Sequence, residues 1–213
     1  MSALFGLTRV HLCIVLLLIL IVPSVDANIS DILLEQKKAV VTVYVNDENG
    51  NAGHFKPKKE AGGRTDDANV YFLRGCAYHE LNMYEEAIKL YKQSLKIKPD
   101  FVEAYINLGV AYYKLGKYID AIDAYKQAIR IKPNSLLIYN KLGAAYIINS
   151  EYSMARETFK KATDIDPDNA IAHFNLGIAY FLAGETDAAF KEYTILKDLD
   201  KERADILFEL IYN

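Results

Sequence analysis

The chain has no tryptophan, only two cysteines and only four histidines in 213 residues. Two cysteines, Cys13 and Cys76, exclude a disulfide framework. His54, His79 and His173 lie far apart, and neither they nor the cysteines have the spacing of a zinc site; His-Glu-x-x-His is missing. So is Gly-x-Ser-x-Gly, and Gly62-Gly63-Arg64 lacks the Gly-Lys-Ser/Thr ending of a phosphate loop. The net charge of −3 is too small to steer the chain toward nucleic acid or acidic lipid. Lys92-Gln93-Ser94-Leu95-Lys96-Ile97-Lys98 is basic, but its acidic neighbours make it a solvated helix face. The pair Glu85-Glu86 opens a helix, where the dipole favours carboxylates. These absences point away from an enzyme: no catalytic residue, cofactor, metal, small-molecule substrate or nucleic acid is expected.

The chain has one unbroken apolar run, Leu12–Val22. Arg9 precedes it, Pro23 and Ser24 break it, and Val25 and Ala27 stand at the −3 and −1 positions of a cleavage site. This is a secretory signal pattern, and the run is short for a permanent membrane span. Residues 1–27 are therefore read as a signal peptide and the protein as secreted or periplasmic. The alternative is an uncleaved anchor, the one route to membrane contact. Cys76 is then the only mature cysteine and is expected to be buried.

What the sequence has in abundance is a repeat. Gly75, Gly109, Gly143 and Gly177 recur at a 34-residue period. In the same register stand Tyr78, Tyr112, Tyr146 and Tyr180; Ala87, Ala121, Ala155 and Ala189; and Tyr91, Tyr125, Phe159 and Tyr193. Pro99, Pro133 and Pro167 close three of the units. Within 102–115, apolar groups at 105, 108, 112 and 115 mark one helical face. Gly116-Lys117 turns the chain, and Ile122, Tyr125 and Ile129 mark a second helix, which Pro133 cannot continue. Each unit is thus two antiparallel helices. Glycine and alanine permit their close approach, and tyrosines fill the seam. One such pair cannot bury its apolar face alone, so the units stack. Three residues depart from the pattern: Arg74 where the other units have leucine, His173 where they have tyrosine, and Lys201 where proline is expected.

The period and its Gly-x-x-Tyr, Ala-x-x-x-aromatic and Pro columns resemble the tetratricopeptide repeat (TPR) over residues 68–203. The resemblance implies an all-α, right-handed solenoid with repeats at 68–101, 102–135, 136–169 and 170–203, closed by a capping helix at 204–213. It also implies a concave face lined by the first helix of each unit. Phe72, Ile106, Val110, Tyr113, Leu137, Asn140, Ile147, Ile171, Phe174, Ile178 and Phe181 then form a partner-binding groove, apolar at its C-terminal end and centred there on Phe174 and Ile178. The alternative is that 171–182 is covered by the leader or by the terminal helix. Of the residues by which chaperone-binding members grip a terminal carboxylate, Asn107 matches and Lys141 is only a basic substitute, so that clamp is incomplete.

Residues 28–67 stand outside the period. Ser30 caps a short helical run, Ala39–Val45 reads as a strand, and 46–67 has turn and linker composition. The run 33–51 resembles the opening of mature trypsin-like envelope proteases of the HtrA type, without the catalytic part. Two functions follow as expectations. The first is a non-catalytic scaffold or adaptor in the cell envelope that binds a protein or peptide. The second is a regulatory or substrate-docking remnant of a TPR-containing envelope serine protease. N-terminal sequencing of the mature protein should begin at Asn28; a full-length cytoplasmic species as the main form would contradict export.

Overall fold

The structure is a computed structural model that describes residues 67–212. The signal segment and the strand at 39–45 lie outside the described residues. Nine helices and no strand occur among the described residues. They form two compact units that part after Glu151.

The first unit holds α1 (Ala68–Glu80), α2 (Tyr84–Ile97), α3 (Val102–Lys114), α4 (Tyr118–Ile131) and α5 (Leu136–Ile148). α1 pairs with α2 and α3 with α4; α3 also packs on α2, and α5 on α4. The cause of the pairing is visible at the glycines. A Cβ placed on Gly75 would lie 2.6 Å from the Tyr91 ring, and one on Gly109 would lie 2.5 Å from the Tyr125 ring. Each tyrosine is buried, so its ring fills the notch left by the missing side chain. Ala87 and Ala121, both fully buried, begin the same seam one turn earlier. Ser94 takes the column that is alanine at Ala128, and its hydroxyl donates to the Ala68 carbonyl at 2.7 Å. Between repeats, Lys92 lies over the Tyr112 ring and Lys126 over the Tyr146 ring, at 5.4 and 5.6 Å.

The turns inside the repeats share one construction. The residue after the C-cap has a left-handed backbone: Asn82 at φ 57°, Gly116 at φ 72° and Ser150 at φ 62°. The next backbone N–H then donates to the carbonyl of the column tyrosine, as in Met83 to Tyr78, Lys117 to Tyr112 and Glu151 to Tyr146, each at 2.9 Å. Glycine adopts this conformation freely, whereas serine meets a steric penalty there.

The second unit holds α6 (Tyr152–Ile165), α7 (Ala170–Leu182), α8 (Thr186–Leu199) and α9 (Lys201–Tyr212). α7 packs against α6, α8 and α9. Asn169 caps α7 by accepting from Ala172 N–H at 3.0 Å. Gly184, at φ 79°, repeats the left-handed turn, with Glu185 N–H donating to the Tyr180 carbonyl. The terminal helix begins at Lys201, three residues before the expected boundary at 204. The reason is Asp200, whose carboxylate accepts from the Arg203 N–H at 3.1 Å and also pairs with the Arg203 guanidinium. These bonds, the backbone one foremost, hold the Asp200 carboxyl below its ordinary range. An aspartate cap thus opens a new helix at the place where the earlier repeats have a proline.

Two substitutions of opposite sign test this account. Ser150→Gly should stabilise the protein by roughly 0.5–1 kcal/mol by relieving a left-handed serine. Gly109→Ala should cost about 1–3 kcal/mol by crowding the Tyr125 ring. Denaturant unfolding of the two variants beside the parent reads both.

Candidate binding surface

The residues expected to line the groove divide by burial. Ile106, Val110, Tyr113, Leu137, Ile171 and Phe181 are half-buried. Phe72, Asn140, Ile147, Phe174 and Ile178 are buried. Phe174 is only 4% exposed and Ile178 only 1%, so the expected exposed apolar cluster at the C-terminal end is corrected: both are interior. The reason lies in the helices that carry them. α7, Ala-Ile-Ala-His-Phe-Asn-Leu-Gly-Ile-Ala-Tyr-Phe-Leu, is apolar nearly all round, and every residue from Ala172 to Ala179 is buried. α5, with Asn140 and Ile147, has the same character. A helix apolar on every side is enclosed instead of presenting one open face. Phe72 is covered for a local reason, since Phe101 lies 4.7 Å and Tyr91 5.9 Å from its ring centre.

The accessible part is clearest on α3. Ile106, Val110 and Tyr113 follow at spacings of four and three and share one face. The Tyr113 ring meets Tyr118 edge-on at 5.4 Å. Burial, with Tyr118 adding to it, pushes the Tyr113 hydroxyl up to about 12, so it stays protonated at neutral pH. Beside this face the Asn107 amide donates to the Cys76 sulfur at 3.4 Å, joining α3 to α1. Cys76 is half-buried, not enclosed as expected. Burial, then Cys76, raises the Tyr91 hydroxyl beneath them.

A second polar group lies in the fourth repeat. His173 Nδ1 stands 2.7 Å from Glu192 Oε2, and Nε2 stands 2.8 Å from the Pro167 carbonyl. A carbonyl can only accept, so Nε2 carries a hydrogen, and Nδ1 and Glu192 share another. Both residues are buried. Near them Arg156 pairs with Glu185. Burial, with Glu192 and Glu185 adding to it, raises the Tyr180 hydroxyl. The sequence marked His173 as a departure but left Glu192 unnoticed. The signal was there: its column reads Leu90, Ala124, Thr158 and then Glu192. Two departures in one repeat mark a buried pair. Among the described residues no three His, Cys, Asp or Glu gather as metal ligands, and no helix is long and apolar enough to cross a membrane.

Paired helices, a glycine notch filled by an aromatic ring and a turn that returns every 34 residues together define tetratricopeptide repeats. The family model described as TPR repeat matches residues 75–116 and 145–184, and the one described as tetratricopeptide repeat matches 102–135. Among solved structures the chain is similar to a MamA protein at 28% identity, over 68% of this chain and 80% of that one, with a TM-score of 0.63. A thermophilic TPR protein of Thermus thermophilus is similar at 26% identity, over 67% and 80% of the two chains, with a TM-score of 0.52. MamA of Desulfovibrio magneticus RS-1, at 23% identity over 65% and 78%, shares the fold with a TM-score of 0.59. No curated protein matches the chain. TPR proteins of this kind are in general protein–protein interaction scaffolds.

Glu192→Ala leaves the buried Nδ1 of His173 without its acceptor and should cost about 1–3 kcal/mol. Glu192→Gln, which keeps an acceptor oxygen, should cost less. The midpoint of denaturant unfolding separates the two.

Proposed function

We propose that this protein is a non-catalytic scaffold or adaptor, exported to the cell envelope, that binds a protein or peptide segment on the first helices of its repeats. The observation that carries this reading is the face of α3, where Ile106, Val110 and Tyr113 are only half-buried although all three are apolar or aromatic. Leu137 on α5 has the same partial exposure. Such a face suits an extended or helical segment that inserts hydrophobic anchors. The similarity to TPR proteins supports the interaction role, and the signal pattern at 1–27 supports export. With Phe174 and Ile178 interior, the binding centre moves to α3, where Tyr113 offers a rigid aromatic anchor whose hydroxyl remains neutral.

The test is capture of envelope proteins by the immobilised mature chain, with the retained protein identified by mass and its affinity then measured. Ile106→Asp combined with Val110→Asp should weaken that affinity by about 2 kcal/mol, roughly thirtyfold, with the helical circular dichroism unchanged. Equal affinity with the fold intact would remove α3 from the binding surface.

A further inference from the structure

In the first repeat a buried hydrogen-bond donor has nothing to donate to. Tyr91 is fully buried, and its hydroxyl has no hydrogen-bond partner among the described residues. Buried polar groups are nearly always paired, because an unpaired one costs stability. The seam does not require this hydroxyl: the same column holds Phe159 in the third repeat, where the ring alone is buried. The Tyr91 ring rests on Gly75, and the carbon that carries the hydroxyl lies 3.3 Å from where a Gly75 Cβ would be. Cys76 is the next residue. Burial first, and the Cys76 sulfur second, keep the hydroxyl protonated, so toward that sulfur it is a donor.

A second donor reaches the sulfur from the next repeat. The Asn107 amide of α3 points at Cys76 Sγ at 3.4 Å. Sulfur is a weak acceptor, so neither donor gains much from it. Cys76 is half-buried, which leaves the sulfur open to a small molecule. The matching residues of the other repeats are Val110, Ala144 and Ile178, so the first repeat alone sets a sulfur beside the tyrosine.

We propose that Cys76 is a peroxide-reactive modification site whose sulfenic acid is held by Tyr91 and Asn107. The oxidant is hydrogen peroxide. The sulfur, as thiolate, attacks one peroxide oxygen; an S–O bond forms and the O–O bond breaks. The leaving hydroxide takes up the proton that the thiol lost and becomes water. Sulfur gives up an electron pair and the peroxide accepts it. The oxygen added to Sγ is a strong acceptor set among donors already directed at the sulfur. The thiol form leaves the Tyr91 hydroxyl unsatisfied, and the sulfenic acid satisfies it. No second cysteine stands among the described residues to turn that acid into a disulfide.

The full chain is treated with hydrogen peroxide, and a carbon nucleophile selective for sulfenic acid is added after increasing delays. Digestion and fragment masses separate Cys76 from Cys13. The parent should yield a trapped sulfenic acid at Cys76. Tyr91→Phe keeps the ring on Gly75 and removes only the hydroxyl; Asn107→Leu removes the other donor. Each should shorten the lifetime of the trapped species about fivefold, the worth of one hydrogen bond. Denaturant unfolding supplies a readout that ordinary packing would not move. Before oxidation, Tyr91→Phe should be as stable as the parent or more so; after it, the parent should gain stability and Tyr91→Phe should not. An untrapped Cys76, equal lifetimes in parent and variants, or a loss of stability in unoxidised Tyr91→Phe would each overturn the proposal.

Discussion

An aromatic ring resting on a backbone that has no Cβ is the contact on which this structure depends. At Gly75 and Gly109 the rings of Tyr91 and Tyr125 come so close that a methyl group would overlap them. That closeness sets the distance between the two helices of a repeat, and the distance decides which side chains fit in the seam. Alanine at 87 and 121 follows from it, since anything larger would force the helices apart. The tyrosine columns follow as well: a ring fills a long narrow gap with few rotatable bonds. Cation–π contacts from Lys92 and Lys126 then tie each repeat to the next at the helix surface, where they are individually worth little.

Much of this was legible in the order of residues. The period of 34 located each helix of 102–131 and the turn at Gly116-Lys117, because glycine, proline and apolar spacing act locally and leave local traces. The columns named the seam residues for the same reason. What could not be read was exposure. Inward positions assigned by the family rule presume that one side of each first helix stays open. Whether it does depends on the helices around it, and those are far away in sequence. α3 keeps an open side at Ile106, Val110 and Tyr113, whereas α7 does not at Phe174 and Ile178. The near-continuous apolar run 170–182 was the available warning.

The departures from the repeat proved more informative than its agreements. His173 looked like a tolerated exception at the end of an array. Beside Glu192 it is half of a buried polar pair. Lys201 looked like a missing proline. Next to Asp200 it is the first residue of a capped helix that places Leu207 in the notch. For His173, the residue that breaks one column is explained by Glu192, which breaks another.

The self-contained turn bears on how such a chain can lengthen. Every hydrogen bond that ends α3 and starts α4 is made by residues between Ala111 and Ala121. The notch at Gly109 is likewise filled from within its own repeat. A duplicated copy of this 34-residue segment would therefore bring its own stop signal, its own start signal and its own seam, and would ask nothing new of its neighbours. The notch at Gly177, by contrast, is met by Leu207 of α9, from outside its own repeat. A copy of residues 170–203 alone would lack that leucine, so a duplication of the fourth repeat would have to carry part of α9 to fill its own notch.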